Sequence, residues 1–235
     1  MISLLSYLHT CYIRSYRFVP PTFVFIVVIA LIYSVVPNPV MSSYAFSLTF
    51  LFIISSVIGY TFIDIETSNQ ESVTLLHSSS ITKLYVAKLL YCWLFTIPLA
   101  LFALVYPVLI QSFDRNPIFE ELAISMFFHT ISSLLGVVVA CWFSSKFIYS
   151  RLVSFLTLSL IIVITLAREG VETLLPDGIK KVMLLLPPLD TNINVLMNYE
   201  SATLFMKLSA MGGTLIYILI LAVLYLFVLN KRKFL

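Results

Sequence analysis

The chain has 235 residues, of which 60% are hydrophobic and only 11% charged, with 14 basic and 11 acidic side chains and a formal net charge of +3. Soluble domains carry roughly 25% charged residues, so a mean hydropathy of +1.04 excludes an ordinary soluble globule, a disordered chain and a coiled coil. Six apolar stretches are long enough, or nearly so, to cross a hydrocarbon core of ~30 Å as helices. They cover 20–36, 44–63, 89–110, 122–143, 152–167 and 208–229. Backbone amides cannot stay unpaired in lipid, and the period-2 alternation of a membrane barrel is absent, so the expected fold is all-α and polytopic. Before the first span, 1–19 carries Leu4, Leu5, Leu8, Tyr12 and Ile13 near helical spacing among His9, Arg14 and Arg17. That pattern predicts an amphipathic helix lying in the membrane interface, broken from the first span at Pro20-Pro21. The alternative is a simple extension of the first span. No small-residue cleavage site follows, so 1–36 does not read as a signal peptide.

The basic residues set the expected orientation. Arg14, Arg17, Lys83, Lys88, Lys146, Arg151 and Lys231-Arg232-Lys233 fall on one side, and Arg115, Arg168, Lys180, Lys181 and Lys207 on the other, nine against five. The richer side is the cytoplasmic one, with both termini on it, in a cell membrane. The loop 64–88 is polar and too long for a turn. Ser68 with Glu71 three residues on resembles a capping box, and Val73, Leu75 and Leu76 give the helix it would start an apolar face. Such a helix either docks a cytosolic partner or is a solvated surface element. On the other side, 168–207 contains the apolar run Ile179, Val182, Met183, Leu184, Leu185 and Leu186, closed by Pro187-Pro188. It is too short to span, and it reads as a re-entrant segment or as a small cap on the bundle.

Catalytic signatures are lacking. There is no GxxxxGK[ST], no HExxH and no GxSxG, and the 6 glycines form no phosphate loop. Cys11, Cys92 and Cys141 form no CxxC pair and read as small apolar residues. Glu120 and Glu121 lie at a helix start, where the dipole favours carboxylates, so an intramembrane protease built on them and His129 is disfavoured. His129 itself reads either as a pathway or interface residue or, with preference, as a neutral imidazole bonded to a nearby serine or carbonyl. Ser132, Gly136, Ala140 and Ser144 recur every fourth residue, Ser55 and Gly59 repeat the pattern, and so do Ser209 and Gly213. Small residues at this spacing let helices approach closely, within one chain or between two. Pro98 and Pro107 are expected to bend the third span or mark its wet end.

The loop between spans two and three resembles the coupling segment of permease subunits in the ABC type-2 exporter family. The matching positions are Glu71, Leu75-Leu76, Ser79-Ser80, Lys83 and Ala87-Lys88. Two departures are visible: no Arg-Gly precedes the leucines, and Ala87 stands where glycine is usual. Leu186-Pro187-Pro188-Leu189 is similar to the family's re-entrant region. The resemblance implies one transmembrane domain over 1–235 that pairs with a second permease chain, as homodimer or heterodimer, and with two ABC ATPase subunits. Glu71, Ser72, Val73, Leu75, Leu76, His77 and Lys83 would meet the ATPase, with the N-terminal helix alongside. ATP and magnesium would be bound by the ATPase, and no cofactor, metal or nucleic acid by this chain. The implied activity is ATP-driven export by alternating access. Because the spans are nearly uncharged, the expected cargo is hydrophobic or amphipathic, such as an antimicrobial-type peptide. A membrane scaffold or immunity protein that does not transport is the alternative.

Overall fold

The computed structural model describes residues 1–78, 80–174, 176 and 181–231, with Lys181 and Val182 by backbone alone. Ser79, Ile179, Lys180, Arg232 and Lys233 lie outside the described residues. The order is α1 (Ile2–Ser15), α2 (Val19–Tyr33), α3 (Val40–Ile63), α4 (Ser68–Ser78), α5 (Ile81–Leu109), α6 (Phe119–Cys141), α7 (Arg151–Leu166), α8 (Arg168–Leu174), a 3-10 turn (Lys181–Leu185), α9 (Leu189–Met197) and α10 (Leu204–Lys231). Among the described residues there is no strand, only one isolated bridge between Asn38 and Phe113. The all-helical class follows from apolar stretches whose backbone must satisfy itself.

By length and composition, α3, α5, α6 and α10 can each cross a membrane. Two further pairs reach the same criterion only when each is taken together: α1 with α2, bent by 77°, and α7 with α8, bent by 75°. The chain is therefore a helical bundle with four to six candidate spans, as expected of a multi-pass membrane protein. The break between α1 and α2 has a local cause. Tyr16 adopts a left-handed conformation (φ 54°) that closes α1, and Pro20 and Pro21 sit in the first turn of α2, where a missing N–H costs nothing.

α5 corrects the expected boundary. It begins at Ile81, eight residues before Leu89, and runs without interruption through Pro98 to end two residues past Pro107. Lys83 and Lys88 made this stretch look like loop. Lys88 is in fact neutralised inside the bundle, as shown below, so the helix does not have to stop there.

α3 and α6 form the centre, and α5, α9 and α10 pack around them. The small residues explain the closeness of the central pair. A Cβ at Gly136 would lie 2.6 Å from the Phe52 carbonyl oxygen and 2.9 Å from Ser56 Oγ, and one at Gly59 would lie 3.1 Å from Ala140 Cβ. The ridge on α6 is thus used within one chain. Ser144 does not extend it, because α6 ends at Cys141 and Ser144 sits buried in the following turn. On α10 the pattern has no partner among the described residues: a Cβ at Gly213 would meet none of them within 4 Å.

Polar ties sort the connections into two ends. At one end the Asn38 N–H donates to the Ser112 carbonyl (2.9 Å), and the Asp114 N–H donates to that of Asn38 (2.9 Å). At the other, the Ser145 N–H donates to Asp64 (2.6 Å), Tyr60 to the Arg151 carbonyl (2.8 Å) and Asn230 to Thr82 (2.8 Å).

Candidate functional site

The end that carries α4 holds the densest chemistry. α4 starts one residue earlier in its capping than expected. The Thr67 N–H donates to Gln70 Oε1 (3.0 Å) and the Gln70 N–H to Thr67 Oγ1 (3.4 Å). The box is therefore Thr67 with Gln70, not Ser68 with Glu71. Thr-x-x-Gln satisfies the same geometry, and Glu71 is engaged elsewhere.

Glu71, Thr74 and Ser78, at helical spacing, form the buried face of α4. Glu71 is only 6% exposed. It accepts from the Tyr85 hydroxyl (2.5 Å) and pairs with Lys88 (3.4 Å) and with Lys146. Lys88, 1% exposed, also pairs with Glu66 Oε2 (2.9 Å) and donates to the Ile63 carbonyl (3.4 Å). Glu66 Oε1 in turn accepts from Thr74 (2.6 Å) and Tyr7 (3.1 Å). Five segments meet here: α1, the α3–α4 turn, α4, α5 and the α6–α7 turn. Burial opposes ionisation of Glu71, but the Lys88 charge and the hydrogen bonds from Lys146 and Tyr85 outweigh it and hold the carboxyl below the usual carboxylate range.

This placement divides the residues expected to meet a partner. Glu71 is corrected: it is an internal anchor, so it offers no surface for docking. Leu75 is half-buried, while Ser72, Val73, Leu76, His77 and Lys83 are exposed. Val73 (55%) and Leu76 (81%) are large apolar side chains left bare on a helix whose opposite face is polar and buried. That inverts an ordinary amphipathic surface helix. Between α1 and α4 lies a cavity of about 580 Å³, lined by Leu4, Tyr7, Gln70, Val73, His77 and Lys83 among others.

In mid-bundle, His129 is fully buried. Its Nδ1 lies 2.7 Å from the Ser125 carbonyl oxygen, which can only accept, so Nδ1 carries the proton. Nε2 lies 2.9 Å from the Ser47 hydroxyl. Glu121 stands eight residues away, about 12 Å along the helix, held by Arg115 (2.9 and 2.5 Å). Glu120 pairs with Lys207 (3.6 Å) and accepts from Tyr199 (2.9 Å). The acids and His129 are therefore not brought together. We expect His129→Ala to cost about 1–3 kcal/mol, because it opens a cavity in the core and removes the contact with Ser47, whose hydroxyl keeps the Tyr44 carbonyl as acceptor (3.1 Å). The double variant with Ser47→Ala should cost less than the sum of the singles, read from thermal midpoints of the purified chain.

Asn192 went unnoticed in the sequence. It is buried on α9, donates to Ser132 on α6 (3.3 Å) and accepts from Thr214 on α10 (3.0 Å). Leu189, Val195 and Leu196 at helical spacing were the available signal, since they put position 192 on the same buried stripe. No protein-family model matches the chain, and no curated protein or solved structure matches it either.

Proposed function

We propose that the chain is the membrane-spanning permease subunit of an ABC exporter, driven by separate ATPase subunits that dock on α4. One observation carries this reading: α4 bares Val73 and Leu76 while its other face is bolted to α5 through Glu71, Tyr85 and Lys88. A push on the bare face would reach a candidate span directly, through a rigid polar joint. In this reading α2 and α7 complete six spans, α1 lies in the cytoplasmic interface beside α4, and both termini are cytoplasmic. The 168–207 segment dips into the outer leaflet. Two copies of the chain enclose the path, and the neutral bundle interior favours a hydrophobic or amphipathic cargo.

The decisive test uses the surface residues, because Glu71→Lys would disturb the fold. Val73→Asp with Leu76→Asp should abolish co-purification of a candidate P-loop ATPase co-expressed with this chain, and ATP-dependent export with it, while folding stability stays within about 0.5 kcal/mol of wild type. Undiminished ATPase binding would refute the docking role. Binding that is lost without any measurable export by the wild type would favour a scaffold.

A further inference from the structure

A second cavity, of about 490 Å³, lies at the opposite end of the bundle between the 3-10 turn, α9 and α10. Its walls are Leu184, Leu186, Val195 and Met206, and Gly213 forms its floor. No described residue stands within 4 Å of a Cβ built at Gly213, so the described residues leave the notch in α10 unfilled. The Tyr217 hydroxyl donates to the Leu185 carbonyl (2.6 Å) and pins one wall. Arg168 stands at the rim. One guanidinium nitrogen pairs with Asp190 (2.9 Å), but its Nε is buried with no acceptor among the described residues. A buried N–H without an acceptor is costly, and Arg168 lines the slot together with the polar residues Thr191, Asn194, Ser209 and Tyr217, the rest of the lining being mainly apolar. Gly213 lies nine residues into α10, about 13 Å from its start. The cavity therefore reaches from the start of α10 towards its apolar middle, while Leu219 and Val223, outside its lining, are exposed further along the same helix.

From this geometry we infer that the cavity holds one acyl chain of a bilayer phospholipid, with a phosphate oxygen accepting from Arg168 Nε. The inference rests on α10 spanning a membrane and is independent of the transport reading. The probe is phosphatidylglycerol carrying a mid-chain diazirine, in vesicles of phosphatidylethanolamine and phosphatidylglycerol that contain the full chain. After illumination, peptide mass spectrometry should find Leu184, Val195 and Met206 labelled several-fold more than Leu219 and Val223. Gly213→Phe should remove that excess. Gly212→Phe, equally free of neighbours but off the cavity, should retain it. Arg168→Lys keeps a charge opposite Asp190 but lacks Nε. It should weaken labelling by the phospholipid and leave labelling by a diazirine diacylglycerol unchanged. An excess that survives in Gly213→Phe, or no excess over Leu219 and Val223, overturns the site. Absence of label at Leu219 and Val223 as well overturns the membrane placement of α10.

Discussion

Gly136→Val is expected to be the most damaging single substitution in the bundle core. The added Cβ would stand 2.6 Å from the Phe52 carbonyl oxygen, which belongs to the backbone of α3 and cannot rotate aside. Ser55 and Ser56 both donate to that same oxygen (2.9 and 2.8 Å) and line the contact; their hydroxyls can rotate away, but the carbonyl between them cannot. The two central helices must separate instead. Overpacking typically costs 1–3 kcal/mol, and loss of a close backbone approach between helices puts this case at or above about 3 kcal/mol. Gly136→Ala should already destabilise. Gly59→Ala, which meets the Ala140 methyl at 3.1 Å, should be milder. Thermal midpoints and monodispersity in detergent measure the order, and a Gly136→Val protein as stable as wild type would refute the helix contact.

Lys88→Met should cost about 3–5 kcal/mol, the range for breaking a buried ion pair, because Glu66 and Glu71 are left in the interior without their shared cation. The expected readout is new protease cleavage around α4, with the spans still helical by circular dichroism. Adding Glu66→Gln should restore most of the loss, since Glu71 keeps Lys146 as its partner and no stranded charge is left. Acid separates the two proteins. In the wild type the folded Glu71 carboxyl is held below its ordinary value of 4.5, so the unfolded chain binds the proton more readily. That contribution is complete above the ordinary value and is lost as pH falls through the lowered one. In Lys88→Met, acid instead neutralises stranded carboxylates, so the variant should gain on the wild type as pH falls. Parallel pH profiles for the two would overturn the arrangement.

Much of the architecture was legible because lipid leaves few choices. Long apolar runs must be helices, and α3, α6 and α10 lie close to where those runs are. The start of α5 was hidden because the partners of Lys88 lie 17 and 22 residues earlier, and a linear reading scores a lysine as solvated. The same non-local pairing concealed the role of Glu71. Its type and spacing fit a cap and a docking motif equally well, and only the arrival of Tyr85, Lys88 and Lys146 decides that it faces inward. Capping chemistry was recognised one residue out of register, since two overlapping pairs satisfy it. The small-residue ridge announced close packing but not its partner, which depends on how α3 and α6 meet. Asn192 was missed because a lone carboxamide in a polar connection looks like loop until Ser132 and Thr214 are seen on either side.

The joint between α4 and α5 has an electrical consequence. Lys88 and Lys146 are matched by Glu66 and Glu71, so the cluster carries no formal net charge. One unbalanced charge crossing the whole membrane field would couple to it by about 2.3 kcal/mol per 100 mV. A neutral cluster that tilts or slides as a unit has almost no such coupling. In a membrane, the transmembrane voltage would therefore exert almost no net force on this joint.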